Sequence, residues 1–246
     1  AIFHLTELIL SLPSSWLEHS PIVLRGLFFL AFALLKRSKA SNQPEDAIYA
    51  AKYLRHLRDQ PHRASRFPRH WVTKLLVDAL AFQVESETGN VMQNVGEMAI
   101  LCRELLTSDL DITRSIIVIY EVVRKRIRPW VLDQPLDQLI ECLRAVGKHK
   151  PYLRKAHFAL AFCLGIRYLM TFVNADYEEA ASVFDKILTS SSSEDNEDKF
   201  VARTKQLVTG LAMIRSKAHQ TPEYSEEAIY RTRAFLISPP EEYPFF

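Results

Sequence analysis

The chain has 246 residues, 48% of them hydrophobic and 24% charged, enough to bury a sizeable core in one large or two small domains. A net charge of +2 excludes a molecule that binds nucleic acid through its overall field, so any such role must rest on local patches. Six scattered glycines are too few for closed β folds or phosphate-cradling loops, which points to helices.

Three cysteines, Cys102, Cys142 and Cys163, are odd in number and show no C-x-x-C spacing. They argue against a disulfide framework or a zinc site and for an intracellular, cytoplasmic compartment. The chain opens on Ala1 inside an apolar stretch and ends on Phe245-Phe246, which suggests a piece of a longer protein. The most membrane-like run, Gly26 to Leu35, makes about 15 Å of helix against roughly 30 Å of bilayer hydrocarbon. A buried helix is the expectation there, without membrane insertion.

Apolar residues recur at three- and four-residue spacing along the chain, and prolines fall between the periodic stretches. After an opening fragment over 1–12, the spacing predicts helices over 21–39, 44–59, 68–88, 90–108, 111–127, 134–147, 151–173, 176–189, 195–219 and 223–237. Short turns make sequential neighbours antiparallel. The expected organisation is a remnant over 1–20 and a repeat domain over 21–246, with helix pairs at 21–59, 68–108, 111–147, 151–189 and 195–237.

The second helices resemble one another when Ala47, Ala99, Leu139, Ala180 and Ala228 are aligned. Two residues earlier stand Glu45, Glu97, Asp137, Glu178 and Glu226, acids that suit the positive end of a helix dipole. One residue later come Ile48, Ile100, Ile140, Ala181 and Ile229, and seven later Leu54, Leu106, Val146, Ile187 and Phe235. These positions share one helical face, so they read as a packing stripe beside a small residue that admits a close neighbour. The expected core therefore holds Ala47, Ile48, Leu54, Ala99, Ile100, Leu106, Ile140, Leu164, Ala180, Phe184, Ile187, Ala228 and Ile229. The anchors lie 52, 40, 41 and 48 residues apart, so the array is degenerate.

Leu164-Gly165, Tyr168, Ala175-Asp176-Tyr177-Glu178-Glu179-Ala180, Phe184 and Ile187 resemble the tetratricopeptide repeat, and Tyr224-Ser225-Glu226-Glu227-Ala228-Ile229 repeats its second-helix opening. The first helix runs about one turn longer than that family's unit of about 34 residues, and the position seven after the anchor is bulkier than its usual alanine. HEAT-like and other helix-pair solenoids also accommodate the spacings. The resemblance implies an all-α fold, a right-handed solenoid of about five antiparallel helix pairs whose first helices line a concave face. The ending Glu226 to Pro244, with Pro239-Pro240, is similar to repeats found ahead of CHAT protease domains, though no protease lies within the chain.

No motif here carries catalysis, and no cofactor or metal is expected. Cys102 and Cys142 share an alignment position filled elsewhere by Ala50, Val183 and Arg231, which marks a packing site. Cys163 sits in the apolar run from Phe158 to Ile166 and reads the same way. His157, on an apolar helix, is expected to be a hydrogen-bonded core histidine. None of Asn42, Asn90, Asn94, Asn174 and Asn196 follows a lysine by four residues, so the clamp by which some tetratricopeptide domains hold chaperone carboxylates is missing.

Two basic runs, Arg55, Arg58, Arg63, Arg66 and Arg69, then Lys148, Lys150, Arg154 and Lys155, are candidates for an anionic partner such as RNA, an acidic peptide or a lipid head group; Arg124 to Arg128 form a third. Ser191 and Ser192 each precede an acid by three residues, which suits acidophilic kinases. The leading expectation is a non-catalytic scaffold that binds another protein or peptide. Its rivals are a binder of anionic surfaces and an accessory part of an enzyme whose catalytic domain lies outside this chain.

Overall fold

A computed structural model describes residues 20–59, 67–106, 108, 110–127, 135–189 and 197–237, the side chains of 197–200 and 235–237 excepted. The opening fragment over 1–12 lies outside these residues. The described residues form ten α-helices and no strand: α1 Pro21–Ser41, α2 Pro44–Arg58, α3 Arg69–Glu85, α4 Val91–Leu105, α5 Thr113–Arg126, α6 Leu136–His149, α7 Arg154–Thr171, α8 Asn174–Thr189, α9 Glu197–His219 and α10 Pro222–Ile237. The fold is all-α, and each helix falls where apolar periodicity and proline punctuation predict it. Pro21 and Pro44 occupy first-turn positions, where a missing N–H costs nothing. Asn90 caps α4 by accepting a hydrogen bond from the Gln93 backbone N–H at 3.1 Å.

The reversals after α1, α3, α7 and α9 share one device. Asn42, Glu87, Phe172 and Gln220 adopt left-handed backbone, with φ of 51°, 55°, 54° and 51°. There the chain leaves the helix while late carbonyls still find N–H donors: Gln43 donates to Ser38 at 3.2 Å and Thr88 to Gln83 at 2.9 Å. Two of these turns also carry an ionic clip. Arg37 forks onto Asp46 at 2.5 and 2.6 Å, and Arg167 onto Asp176 at 2.8 and 2.6 Å. In both the arginine stands five residues before the left-handed residue and the aspartate four after it.

Every substantial contact joins helices one or two apart in the chain. The odd-numbered helices touch in series from α1 to α9, and most even-numbered ones pack on both chain neighbours. The exception is central. α5 and α6, which the sequence pairs, touch at most marginally; α5 packs on α7, and α6 on α4 and α7. Gly96 permits the α4–α6 approach, because a Cβ there would lie 2.9 Å from Pro135 Cβ. Gly165 does the same for α9, since its Cβ would meet Leu211 at 2.8 Å.

Ala47, Leu54, Ala99, Ile140, Leu164, Ala180, Phe184, Ile187 and Ala228 are buried as expected, and Leu106 is half-buried. Ile48, Ile100 and Ile229 are not core residues; they are 42%, 48% and 52% exposed. The left-handed residues explain the error, because they set the true register. Eight residues after them stand Ala50, Val95, Ala180 and Ala228, all buried. Six residues after them stand Ile48, Gln93, Glu178 and Glu226, all exposed. Ala47 and Ala99 are thus buried at positions different from that of Ala180.

Ala180 is fully enclosed, so Ala180→Leu should lower stability by about 1–3 kcal/mol through overpacking. A urea midpoint indistinguishable from that of the parent chain would contradict this placement.

Candidate functional site

The predicted cations are distributed unevenly. Arg55 and Arg58 are anchored within the fold: Arg55 donates to Glu97 of α4 at 2.9 and 2.6 Å, and Arg58 to Glu104 at 2.6 Å. Arg69 approaches Glu104 more loosely, at 3.9 Å. In the second run, Lys148 and Lys155 are exposed, and Lys155 Nζ lies 5.8 Å from the centre of the Tyr120 ring. Lys150 and Arg154 are half-buried beside them. In the third run, Arg124 and Lys125 lie near Glu121, at 2.7 and 3.8 Å, and Arg126 reaches Glu87 at 2.6 Å. Arg63, Arg66, Ser191 and Ser192 lie outside the described residues.

Arg55 begins a series of ion pairs that links every even-numbered helix to the next. Arg103 of α4 meets Glu141 of α6 at 3.5 Å. Arg144 of α6 forks onto Glu179 of α8 at 2.8 and 2.5 Å. Arg231 of α10 reaches back to Asp185 of α8 at 2.9 and 3.1 Å. Pairs open to water on at least one side contribute roughly 0.2–1 kcal/mol each, so the series sets lateral register more than it supplies stability.

Arg215 of α9 differs, because its side chain is only 5% exposed. It donates to Asn174 at 3.0 Å, to Glu227 at 3.2 Å and to Glu178. Its guanidinium lies 4.2 Å from the Tyr177 ring centre and 3.7 Å from that of Tyr224. Glu227 also accepts from the Tyr177 hydroxyl at 2.8 Å and from Arg231 Nε at 2.9 Å. Burial, and then the bond to Glu227, push the Tyr177 phenol well above its usual range. Two carboxylates, an amide and two ring faces already surround the guanidinium, so this constellation locks α8, α9 and α10 together. Nothing in it is arranged for proton or group transfer.

Open space lies elsewhere. A cleft of about 550 Å³ between α4 and α6 is lined by Met92, Gln93, Glu97, Ile100, Pro135 and Gln138 among others. It sets Met92, Ile100 and Pro135 beside carboxamides that can both donate and accept, and Ile100 is 48% exposed there. Sequence reasoning placed Ile100 in the core and so missed the cleft. It also missed Arg215, although an arginine four residues before a helix end recurs at Arg37 and Arg167.

No thiol is poised for chemistry. Cys102, Cys142 and Cys163 are free and buried; burial pushes Cys102 and Cys163 well up and Cys142 up to about 12. His157 is half-buried, and its Nδ1 lies 3.2 Å from the Leu153 carbonyl oxygen, within donating distance for the Nδ1–H tautomer. Among the described residues no group of His, Cys, Asp or Glu side chains could hold a metal ion. Among them, too, no helix is long and apolar enough to cross a membrane. No family model, curated protein or solved structure matches the chain.

Two outcomes follow. Arg215→Met should cost about 2–4 kcal/mol, because it removes a buried cation with its bonds to Asn174, Glu178 and Glu227 and its contact with two ring faces, whereas Arg144→Ala should cost less than about 1 kcal/mol; equal losses in urea titrations would contradict the distinction. For Cys142, the unfolded chain loses its thiol proton near pH 9.0 and the folded chain only near 12. Stability should therefore fall as pH rises through that interval. The fall between pH 7.5 and pH 10 should shrink in Cys142→Ala, and an unchanged fall would show that this thiol is not the cause.

Proposed function

We propose that the chain is a non-catalytic helical-repeat module of tetratricopeptide type, a right-handed solenoid of helix pairs, that holds an extended segment of another protein in the cleft between α4 and α6. Three features support the solenoid: contacts confined to helices one or two apart, recurring left-handed turns, and small residues at the points of close approach. These suit an array that grows by adding one helix pair to the last.

The observation that carries the binding reading is the cleft itself. It lies between α4 and the start of α6, and it presents Met92, Ile100 and Pro135 beside the carboxamides of Gln93 and Gln138. An extended peptide needs the same mixture: apolar contact for alternate side chains, and donors and acceptors for its main chain. Glu97 is held by Arg55, so the wall of the cleft is braced before a ligand arrives.

Peptides selected from a displayed random library against the intact chain should compete for one site. Ile100→Arg should weaken the selected peptides at least about tenfold, corresponding to roughly 1.4 kcal/mol, while Lys148→Ala and Lys155→Ala should leave them unchanged. The opposite pattern, with affinity that falls steeply as salt rises, would replace this reading by an anionic partner on the basic runs.

A further inference from the structure

Charge is sorted between the two sets of helices. α1 and α7 hold no acidic residue, α9 holds none after Asp198, and the acids of α3 and α5 are Asp78, Glu85 and Glu121. Every even-numbered helix carries at least two acids, and α8 carries Asp176, Glu178, Glu179 and Asp185. The odd-numbered helices touch in series, so they form a basic layer that the net charge of +2 conceals.

Three- and four-residue spacing sets the cations of this layer beside aromatic rings. Phe32, Lys36 and Lys39 share one face of α1, and Trp71 and Lys74 share one face of α3. Phe32 and Trp71 are 41% and 50% exposed. Contacts across the layer join these stripes: Lys39 lies 3.8 Å from Asp78 of α3, and Arg114 of α5 lies 2.7 Å from Glu85 of α3. Lys36 and Lys155 lie over rings, 5.4 Å from the centre of Phe32 and 5.8 Å from that of Tyr120. Burial raises the Tyr120 phenol while Arg124 and Arg203 act against it, which brings α9 into the same field. Asp78 is shared by Lys39 and Lys74. Burial lowers the Lys39 ammonium against the pull of Asp78, and Arg114, Lys74 and Lys36 push it the same way as burial. The cations thus crowd one another, and an added anion would relieve them.

We propose that the odd-numbered layer binds single-stranded nucleic acid, with phosphates on Lys36, Lys39, Lys74, Lys155 and Arg203 and unpaired bases against Phe32 and Trp71. Helices packed about 10 Å apart spread these charges over roughly 40 Å, which suits a ligand that carries one charge in every unit. Exposed rings among lysines offer a stacking platform to unpaired bases, whose faces a duplex hides. A carboxylate-rich peptide would satisfy the cations and leave those rings without a flat partner. The α4–α6 cleft belongs to the even-numbered helices, so this proposal and the peptide-binding reading can fail independently.

Fluorescence anisotropy of a labelled oligouridylate titrated with the intact chain tests this. With four phosphates engaged, affinity should fall about fifty-fold between about 50 and 200 mM salt. Lys36→Gln and Lys155→Gln should each weaken binding several-fold at the lower salt and reduce the logarithmic salt slope by about 0.7. Lys52→Gln and Lys186→Gln, exposed on even-numbered helices, should change neither. Binding should quench tryptophan emission, and Trp71→Phe should remove that quench. No binding at the lower salt, or equal losses from all four lysine variants, would overturn the proposal. A duplex of the same length bound as tightly would overturn the stacking mode. A polyglutamate peptide that competes equally, without quenching Trp71, would replace nucleic acid by an acidic protein segment.

Discussion

Among the described residues substantial packing passes between helices that are near neighbours in the chain, and the rest of the structure depends on that restriction. Each of the ten described helices buries its apolar face against helices one or two places away. Burial of a leucine such as Leu30, Leu76 or Leu80 supplies roughly 1.5–3 kcal/mol, far more than any one surface ion pair. Such burial needs helices close together, and Gly96, Gly165 and Ala180 provide the room. It also needs tight reversals, and four left-handed non-glycine residues provide those, joined by Gly89 in the turn after α3. A side chain in that conformation costs about 1–2 kcal/mol, a strain that packing on either side of the turn offsets.

Electrostatics then arrange what burial has assembled. The clips at Arg37–Asp46 and Arg167–Asp176 fix the angle within a turn. The pairs Arg55–Glu97, Arg103–Glu141, Arg144–Glu179 and Arg231–Asp185 tie each even-numbered helix to the next. The α4–α6 cleft lies beside one of these pairs, with Glu97 in its lining. The ion pairs also change the meaning of the first basic run: Arg55 and Arg58 serve internal register, and the accessible charge shifts to Lys148 and Lys155.

Helix class and helix limits were legible in the sequence because both arise locally, from apolar periodicity and from prolines such as Pro21, Pro44 and Pro222. Burial of the three cysteines was legible from their apolar neighbours. Register was not. Aligning acid-x-Ala segments placed Ile48, Ile100 and Ile229 inside, whereas the turn residues that determine the faces are Asn, Glu, Phe and Gln, with no shared chemistry to betray a positive φ. Had Arg37-x8-Asp46 and Arg167-x8-Asp176 been aligned instead, the faces of α1, α2, α7 and α8 would have fallen correctly, and Arg215 would have appeared as a third member facing Tyr224. The parting of α5 from α6 has no local signal, since it is a matter of contacts between distant residues, both helices packing on α7.

An array held by neighbour contacts should lose stability locally when one contact fails. Native-state hydrogen exchange on Leu30→Ala measures this most directly, because Leu30 is fully buried in α1. The account predicts faster exchange in α1, α2 and α3, with protection of α8, α9 and α10 unchanged. A uniform rise in exchange across all ten helices would instead reveal one cooperative core and contradict the central claim.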